Sequence, residues 1–234
     1  METTSKMPWR EKVVRYIFFL ISLFFCGLAV ALNAHSMLGV SPISSVAYVI
    51  ALKVPSVSMG TWLFIWNMVM LLIQLVLLRR EFPPVYFMQI PLSLIFGVFT
   101  DLGSLICAGF STDTYFLRLL CAVLGVVVMA FGISIAVTAN VVYNSGEAVV
   151  KVMSDKMGRP FGHVKIGFDV SCVLLSVVMS LAFFHLQIVS VREGTLISAV
   201  FCGVFITLFG KFLPAVTTRL IYFFAGKKEG EKDV

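Results

Sequence analysis

Long apolar runs separated by short polar breaks dominate the chain. Six runs are long enough to cross a hydrocarbon core, which needs about 20 apolar residues in a helix. They fall near residues 13–34, 60–79, 84–109, 114–141, 165–186 and 194–213. The fourth has length to tilt or to extend past the interface. The first is too long for a signal-peptide core and has no convincing small-residue cleavage site, so it is expected to be retained. Two irregular stretches interrupt the pattern. Between Asn33 and Gly60 the chain reads Leu38-Gly39-Val40-Ser41-Pro42-Ile43-Ser44-Ser45. Gly39 suits unusual backbone angles, Ser41 suits an N-cap and Pro42 suits a first helical turn. A helix over 42–53 follows, broken at Lys53-Val54-Pro55-Ser56. Its 12 residues span about 18 Å, too short to cross, so it re-enters the membrane or lies in the interface. Between Asn140 and Lys165 a second short helix is expected from Glu147 to Met157, stopped by Gly158 and Pro160. It carries Glu147, Lys151, Asp155 and Lys156, which predicts an amphipathic helix on the cytoplasmic surface.

Each half thus follows one plan: a spanning helix, an irregular segment with a short helix, then two spanning helices. Local sequence echoes the plan. Phe25-Cys26-Gly27-Leu28-Ala29-Val30-Ala31 parallels Ala130-Phe131-Gly132-Ile133-Ser134-Ile135-Ala136, and Phe96-Gly97-Val98-Phe99 parallels Cys202-Gly203-Val204-Phe205. Gly27 to Gly97 is 70 residues and Gly132 to Gly203 is 71. Three crossings per half is an odd number, so duplicated halves face opposite ways. The expected fold is an all-α polytopic membrane protein with about six transmembrane helices in two inverted three-helix repeats, each with a short broken or interfacial helix. The expected organisation is a cytoplasmic N-terminus (1–12), a first membrane repeat (13–109), a second (114–213) and a cytoplasmic basic tail (214–234) whose charged end from Gly226 has no apolar period.

Composition excludes a soluble domain. Hydrophobic residues make up 59% of the 234 and charged residues 13%, and mean hydropathy is +1.00. A soluble domain is about 25% charged. The +6 net charge reports topology. With the N-terminus inside, only Lys53, Arg118 and Arg192 of the 18 basic residues fall outside. This positive-inside bias predicts both termini in the cytoplasm and the chain in the cytoplasmic membrane. The basic residues need no nucleic-acid partner; anionic headgroups account for them. Cys26, Cys107, Cys121, Cys172 and Cys202 all sit in or beside apolar runs, with no metal-type spacing. A Cys107–Cys121 disulfide is conceivable only because both approach the outer side.

The run Gly27-Leu28-Ala29-Val30-Ala31-Leu32, then Leu38-Gly39-Val40-Ser41-Pro42, then Ser58-Met59-Gly60, resembles the YczE/YitT-like family of small bacterial integral membrane proteins. Ser154-Asp155-Lys156-Met157-Gly158-Arg159, leading into a span, is similar to them as well. The resemblance covers most of residues 15–210. It implies a multi-spanning inner-membrane protein with a transport role among its expected activities. One departure stands out: before the last span the family is more glycine-rich, where this chain has Arg192-Glu193-Gly194-Thr195.

Polar groups inside a membrane are costly, which makes them the first functional candidates. Asp101 lies deep in the third span and serves an ion or proton site, or else pairs with a neighbouring helix, with Arg118 the candidate partner. Asp169 lies near the cytoplasmic end of the fifth span, within i−4 reach of Lys165. Its approximate repeat partner is Asn67. Asn33 ends the first span with His35, and Asn140 and Asn144 end the fourth. If the two broken regions meet, Ser41, Ser44, Ser45, Asn144, Ser145 and Glu147 present side chains to one ligand, and the start of a half-helix favours an anionic group. Ordinary capping and interfacial solvation are the alternative use of these residues. Trp9, Trp62 and Trp66 suit an aromatic belt. No nucleophile, metal or nucleotide motif occurs, so no catalytic residue, metal or cofactor is expected. The expected function is secondary transport of a small solute or ion. The alternative is a non-catalytic accessory subunit of a larger assembly, in which a homo-oligomer or a membrane partner protein has a place beside the lipid bilayer.

Overall fold

A computed structural model describes residues 8–141, 144–189 and 191–225. Eight α-helices follow in order: α1 (Trp9–His35), α2 (Pro42–Lys53), α3 (Met59–Leu78), α4 (Gln89–Cys107), α5 (Tyr115–Ala139), α6 (Ser145–Met157), α7 (Phe161–Phe183) and α8 (Glu193–Ala225). No strand occurs among the described residues, and six helices are long and apolar enough to cross a membrane. The protein is an all-α polytopic membrane protein. The sequence order of long and short helices is the one expected, and α2 runs over the expected residues. The charged end from Gly226 lies outside the described residues.

Local chemistry sets the helix ends. Gly39 has φ 99°, and Pro42 occupies the first turn of α2. Ser58 caps α3, its Oγ accepting the Thr61 N–H at 3.1 Å. Asn140 ends α5 in the left-handed region (φ 49°) and Gly158 ends α6 there (φ 60°). α8 is longer than the 194–213 run predicts: Pro214 lies within it and the helix continues to Ala225.

α1 forms the centre, packed on α4, α5 and α8. Small residues let these backbones approach. A Cβ at Gly27 would lie 2.9 Å from the Phe99 carbonyl carbon of α4, and one at Gly132 would lie 2.8 Å from Cys26 Sγ. Phe19, Leu23, Cys26, Val30, Leu63 and Phe96 form the core around α1.

Each short helix packs on both α3 and α7, and the more extensive contact is crosswise between the halves: α2 on α7, and α6 on α3. The Lys53 Nζ donates to the Phe183 carbonyl (3.2 Å), so α2 and α7 end together. α6 is not the surface helix that its charges predict. Its Ala148, Val149, Val150 and Val152 are buried, Val149 and Val150 in a cluster with Met70 of α3 and Val164 of α7. Glu147 stands in its first turn, and the other charges lie farther along, where Lys151 and Asp155 pair in the open at 2.6 Å.

Candidate functional site

The first turns of α2 and α6 meet inside the protein. Gly146 packs on Ile43: a Cβ there would lie 3.0 Å from Ile43 Cγ2. Beside this junction lies a cavity of about 370 Å³. Its polar lining comes from six places: Ser22 on α1, Ser41 and Ser44 at the start of α2, Asn67 on α3, Asn140, Asn144 and Glu147 around the start of α6, Lys165 and Asp169 on α7, and Ser198 on α8. The rest is mainly apolar, with Phe19 and Leu23 of α1, Trp66 of α3, Phe96 of α4 and Met129 and Ile133 of α5. Ser198, Ala199, Cys202 and Gly203 of α8 close the remaining side. α7 and α8 scarcely touch, unlike α3 and α4, which pack closely. A Cβ at Gly97 of α4 would come within 2.6 Å of the Gly60 carbonyl of α3, whereas nothing lies against Gly162 of α7 or Gly203 of α8.

The charges in the cavity are arranged unevenly. Lys165 Nζ donates to both carboxylate oxygens of Asp169 at 3.1 Å each. That pair is neutral overall. Glu147 forms no ion pair and accepts no side-chain hydrogen bond among the described residues. It sits in the first turn of α6, a helix too short to span. Burial pushes its carboxyl above the ordinary glutamate value; the Lys165 ammonium opposes that shift and the Asp169 carboxylate adds to it.

Residues 13–211 match the model of DUF6198, described as a family of unknown function. The chain belongs to that family. No curated protein and no solved structure matches it. The membership therefore covers all of α2 to α7 and most of α1 and α8, and it supplies no activity; the site must be read from its own chemistry.

Six of the residues singled out in the sequence come together at this cavity: Ser41, Ser44, Asn67, Asn144, Glu147 and Asp169. Four do not line it. Asp101 instead caps α3 across the helix interface, accepting the Ser58 hydroxyl at 2.7 Å and the Gly60 N–H at 2.8 Å. Arg118, its proposed partner, donates to the Thr112 carbonyl at 2.8 Å. Asn33 is buried against Gly125 of α5. Ser45 donates to the Pro42 carbonyl at 2.6 Å, and Ser145 faces Ser93 of α4 at 3.2 Å. Ser41 also departs from the simple cap: its Oγ donates to Ser44 Oγ at 3.1 Å and caps no backbone N–H.

Other features escaped the sequence. Trp62 and Trp66 pack against the core with indole N–H groups buried and without hydrogen-bond partners among the described residues. Gln74 and Gln89 exchange amide hydrogen bonds at 3.1 and 3.0 Å, and Gln74 also donates to the Ser145 carbonyl at 3.2 Å. Two glutamines inside or beside apolar runs were the available signal. The five cysteines are free. A second depression, about 820 Å³, lies among His35, Tyr48 and Arg192 and holds none of the predicted site residues.

Proposed function

We propose that the protein is a secondary transporter of a small solute or ion in the cytoplasmic membrane, built from two inverted repeats with both termini in the cytoplasm. The observation that carries this reading is the meeting of two half-length helices, one from each half, at a single partly polar cavity. Discontinuous helices that present their first turns to a midplane site at a repeat interface are a transporter arrangement.

Matched positions support the inversion. Asn67 and Asp169 line the cavity from α3 and α7 and are 102 residues apart. Gln74 and Ser176 have the same separation, and each donates to a carbonyl in the first turn of the short helix beside it, Ser145 and Ser45 respectively. Ser44 and Glu147 are both third residues of their short helices. The crosswise packing of α2 on α7 and α6 on α3 is what a two-fold relation produces. The glycines that drew attention in the sequence support it less, since Gly97 is tightly packed and Gly203 is not.

The two halves differ where alternating access needs them to differ. The α3–α4 seam is closed through Gly60 and Gly97, and the α7–α8 seam is open. Rocking one repeat against the other exchanges these states and exposes the cavity to opposite sides. The test uses Ser44→Cys in a chain without its five native cysteines. Labelling of that cysteine by an impermeant thiol reagent from each side in turn is the expected result. Labelling from one side alone, in every condition, defeats the proposal.

The resemblance to the YczE/YitT-like family agrees with this membrane placement. The reading is non-enzymatic. A second reading is an accessory subunit for a larger membrane assembly. It draws on α8, which extends past Pro214 and exposes Leu208, Phe212 and Val216. Solute flux into liposomes containing the purified protein alone separates the two.

A further inference from the structure

The cavity holds two poles of opposite sign, and neither has a direct side-chain partner among the described residues. The positive pole is the start of α2. The first N–H groups of any helix lack intrahelical acceptors. Here Pro42 supplies no N–H, no side chain caps the helix and no acidic residue stands in the first turn. Ile43 and Ser44 face the cavity. The negative pole is Glu147, which lines the same cavity with no ion-pair partner among the described residues. The poles are neighbours, because Gly146, just before Glu147, packs on Ile43, just before Ser44.

Charge balance selects the ligand class. A helix N-terminus carries about half a positive charge, so the starts of α2 and α6 together supply about one. An ionised Glu147 offsets them, and Lys165 and Asp169 offset each other. A ligand with net charge of either sign leaves such a site unbalanced. A ligand carrying both charges at a short separation satisfies both poles. The remaining wall is mainly apolar, its polar members being the uncharged Ser22, Asn67, Asn140, Asn144 and Ser198.

We propose that the cavity binds a small zwitterion of the amino-acid type. Its ammonium rests on Glu147, its carboxylate on the amino end of α2, and an apolar side group on Phe19, Leu23 and Phe96. This deepens the transport reading and rests on it for movement, though not for binding.

The test starts with full-length protein in lipid nanodiscs and a thermal-shift screen of the standard amino acids. Stabilisation by at least one apolar member is expected; no stabilisation by any overturns the proposal. With leucine as probe, calorimetry then compares it with 3-methylbutylamine, which lacks the carboxylate, and 4-methylpentanoate, which lacks the amine. If another apolar amino acid stabilises better, it and its matched amine and acid replace the leucine set. The zwitterion should bind at least about ten-fold tighter than either, because each lost charged contact costs that much or more. Equal binding of the amine makes this a cation site, and equal binding of the acid makes it an anion site; either result overturns the proposal. Glu147→Gln should weaken the zwitterion and the amine about ten-fold and spare the acid. Ser44→Asp should do the reverse, weakening the zwitterion and the acid. Each variant is checked by elution profile and thermal unfolding, and the analogue series on the native chain decides the matter if either misfolds. Two-sided labelling at Ser44→Cys is independent of ligand. If it holds while the zwitterion fails, only the substrate class is wrong.

Discussion

Asp101 offers the sharpest discrimination between a structural carboxylate and a transport carboxylate. From sequence it is a buried acid in a span and a candidate for the substrate path. In the fold it holds the start of α3 through Ser58 Oγ at 2.7 Å and the Gly60 N–H at 2.8 Å, and it does not line the cavity. A hydrogen bond to a charged group contributes about 1.5–3 kcal/mol, and a carboxylate at a helix N-terminus about 0.3–1 kcal/mol. Asp101 is partly exposed, so these values are discounted for solvent screening. Asp101→Ala should then cost about 2–3 kcal/mol of stability. Asp101→Asn keeps one acceptor at neutral strength and should cost about 1 kcal/mol. The assay is equilibrium unfolding in mixed micelles by circular dichroism, paired with zwitterion binding to the folded variant. Binding by Asp101→Asn should match the native protein. A folded Asp101→Asn that no longer binds would place the residue on the path and refute the capping account. So would an Asp101→Ala chain as stable as the native one.

Four further outcomes follow from the packing and charges. Gly97→Val sets side-chain atoms against the Gly60 backbone and should cost about 1–3 kcal/mol, whereas Gly203→Ala meets nothing and should stay within about 0.5 kcal/mol; the same unfolding assay reads both. Gln74→Leu strands the buried Gln89 amide and should cost about 1–3 kcal/mol, much of it recovered in Gln74→Leu with Gln89→Leu, which a double-mutant cycle measures. Lys165→Met leaves Asp169 facing the cavity without its cation and should destabilise the protein more than Lys165→Met with Asp169→Asn. The Glu147 carboxyl is raised in the fold above its ordinary value near 4.5, so its favourable contribution is full below that value and is lost as pH rises through the folded value. Ligand-free protein should therefore gain stability on acidification from neutrality through this group, and Glu147→Gln should gain less; equal pH profiles would remove Glu147 as the cause.

The spans and the short α2 were legible because length and punctuation act locally. A run either is or is not long enough to cross, and Pro42 and Gly158 mark a start and a stop in any context. Asn67 and Asp169 were legible as candidates because polar side chains inside apolar runs stand out, and both line the cavity. Asp101 was misread because its partners, Ser58 and Gly60, lie on another helix, and nothing in a linear reading tells an acid that caps a neighbour from one that faces a path. α6 was misread for a different reason. Its charges at Lys151, Asp155 and Lys156 lie toward one end and Val149, Val150 and Val152 toward the burial surface, so a net polar composition concealed a helix with its first turns enclosed. Trp66 was assigned to the interface on residue type alone, and only the packing of α3 against the core sets it beside the cavity.

The unsealed flank between α7 and α8 has a practical consequence for anyone handling this protein. A crevice bordered by hydrocarbon does not stay empty; an acyl tail entering it would settle against Ile166 of α7 and Ile206 of α8, which line the cavity, and detergents differ in how well their tails do so. Apparent affinity for a solute with an apolar tail would then depend on the host amphiphile, falling where the amphiphile competes well and recovering where it cannot enter. Titrations made in different micelles would disagree for reasons unrelated to sample quality, and the trend with alkyl chain length would itself gauge how wide the gap stands.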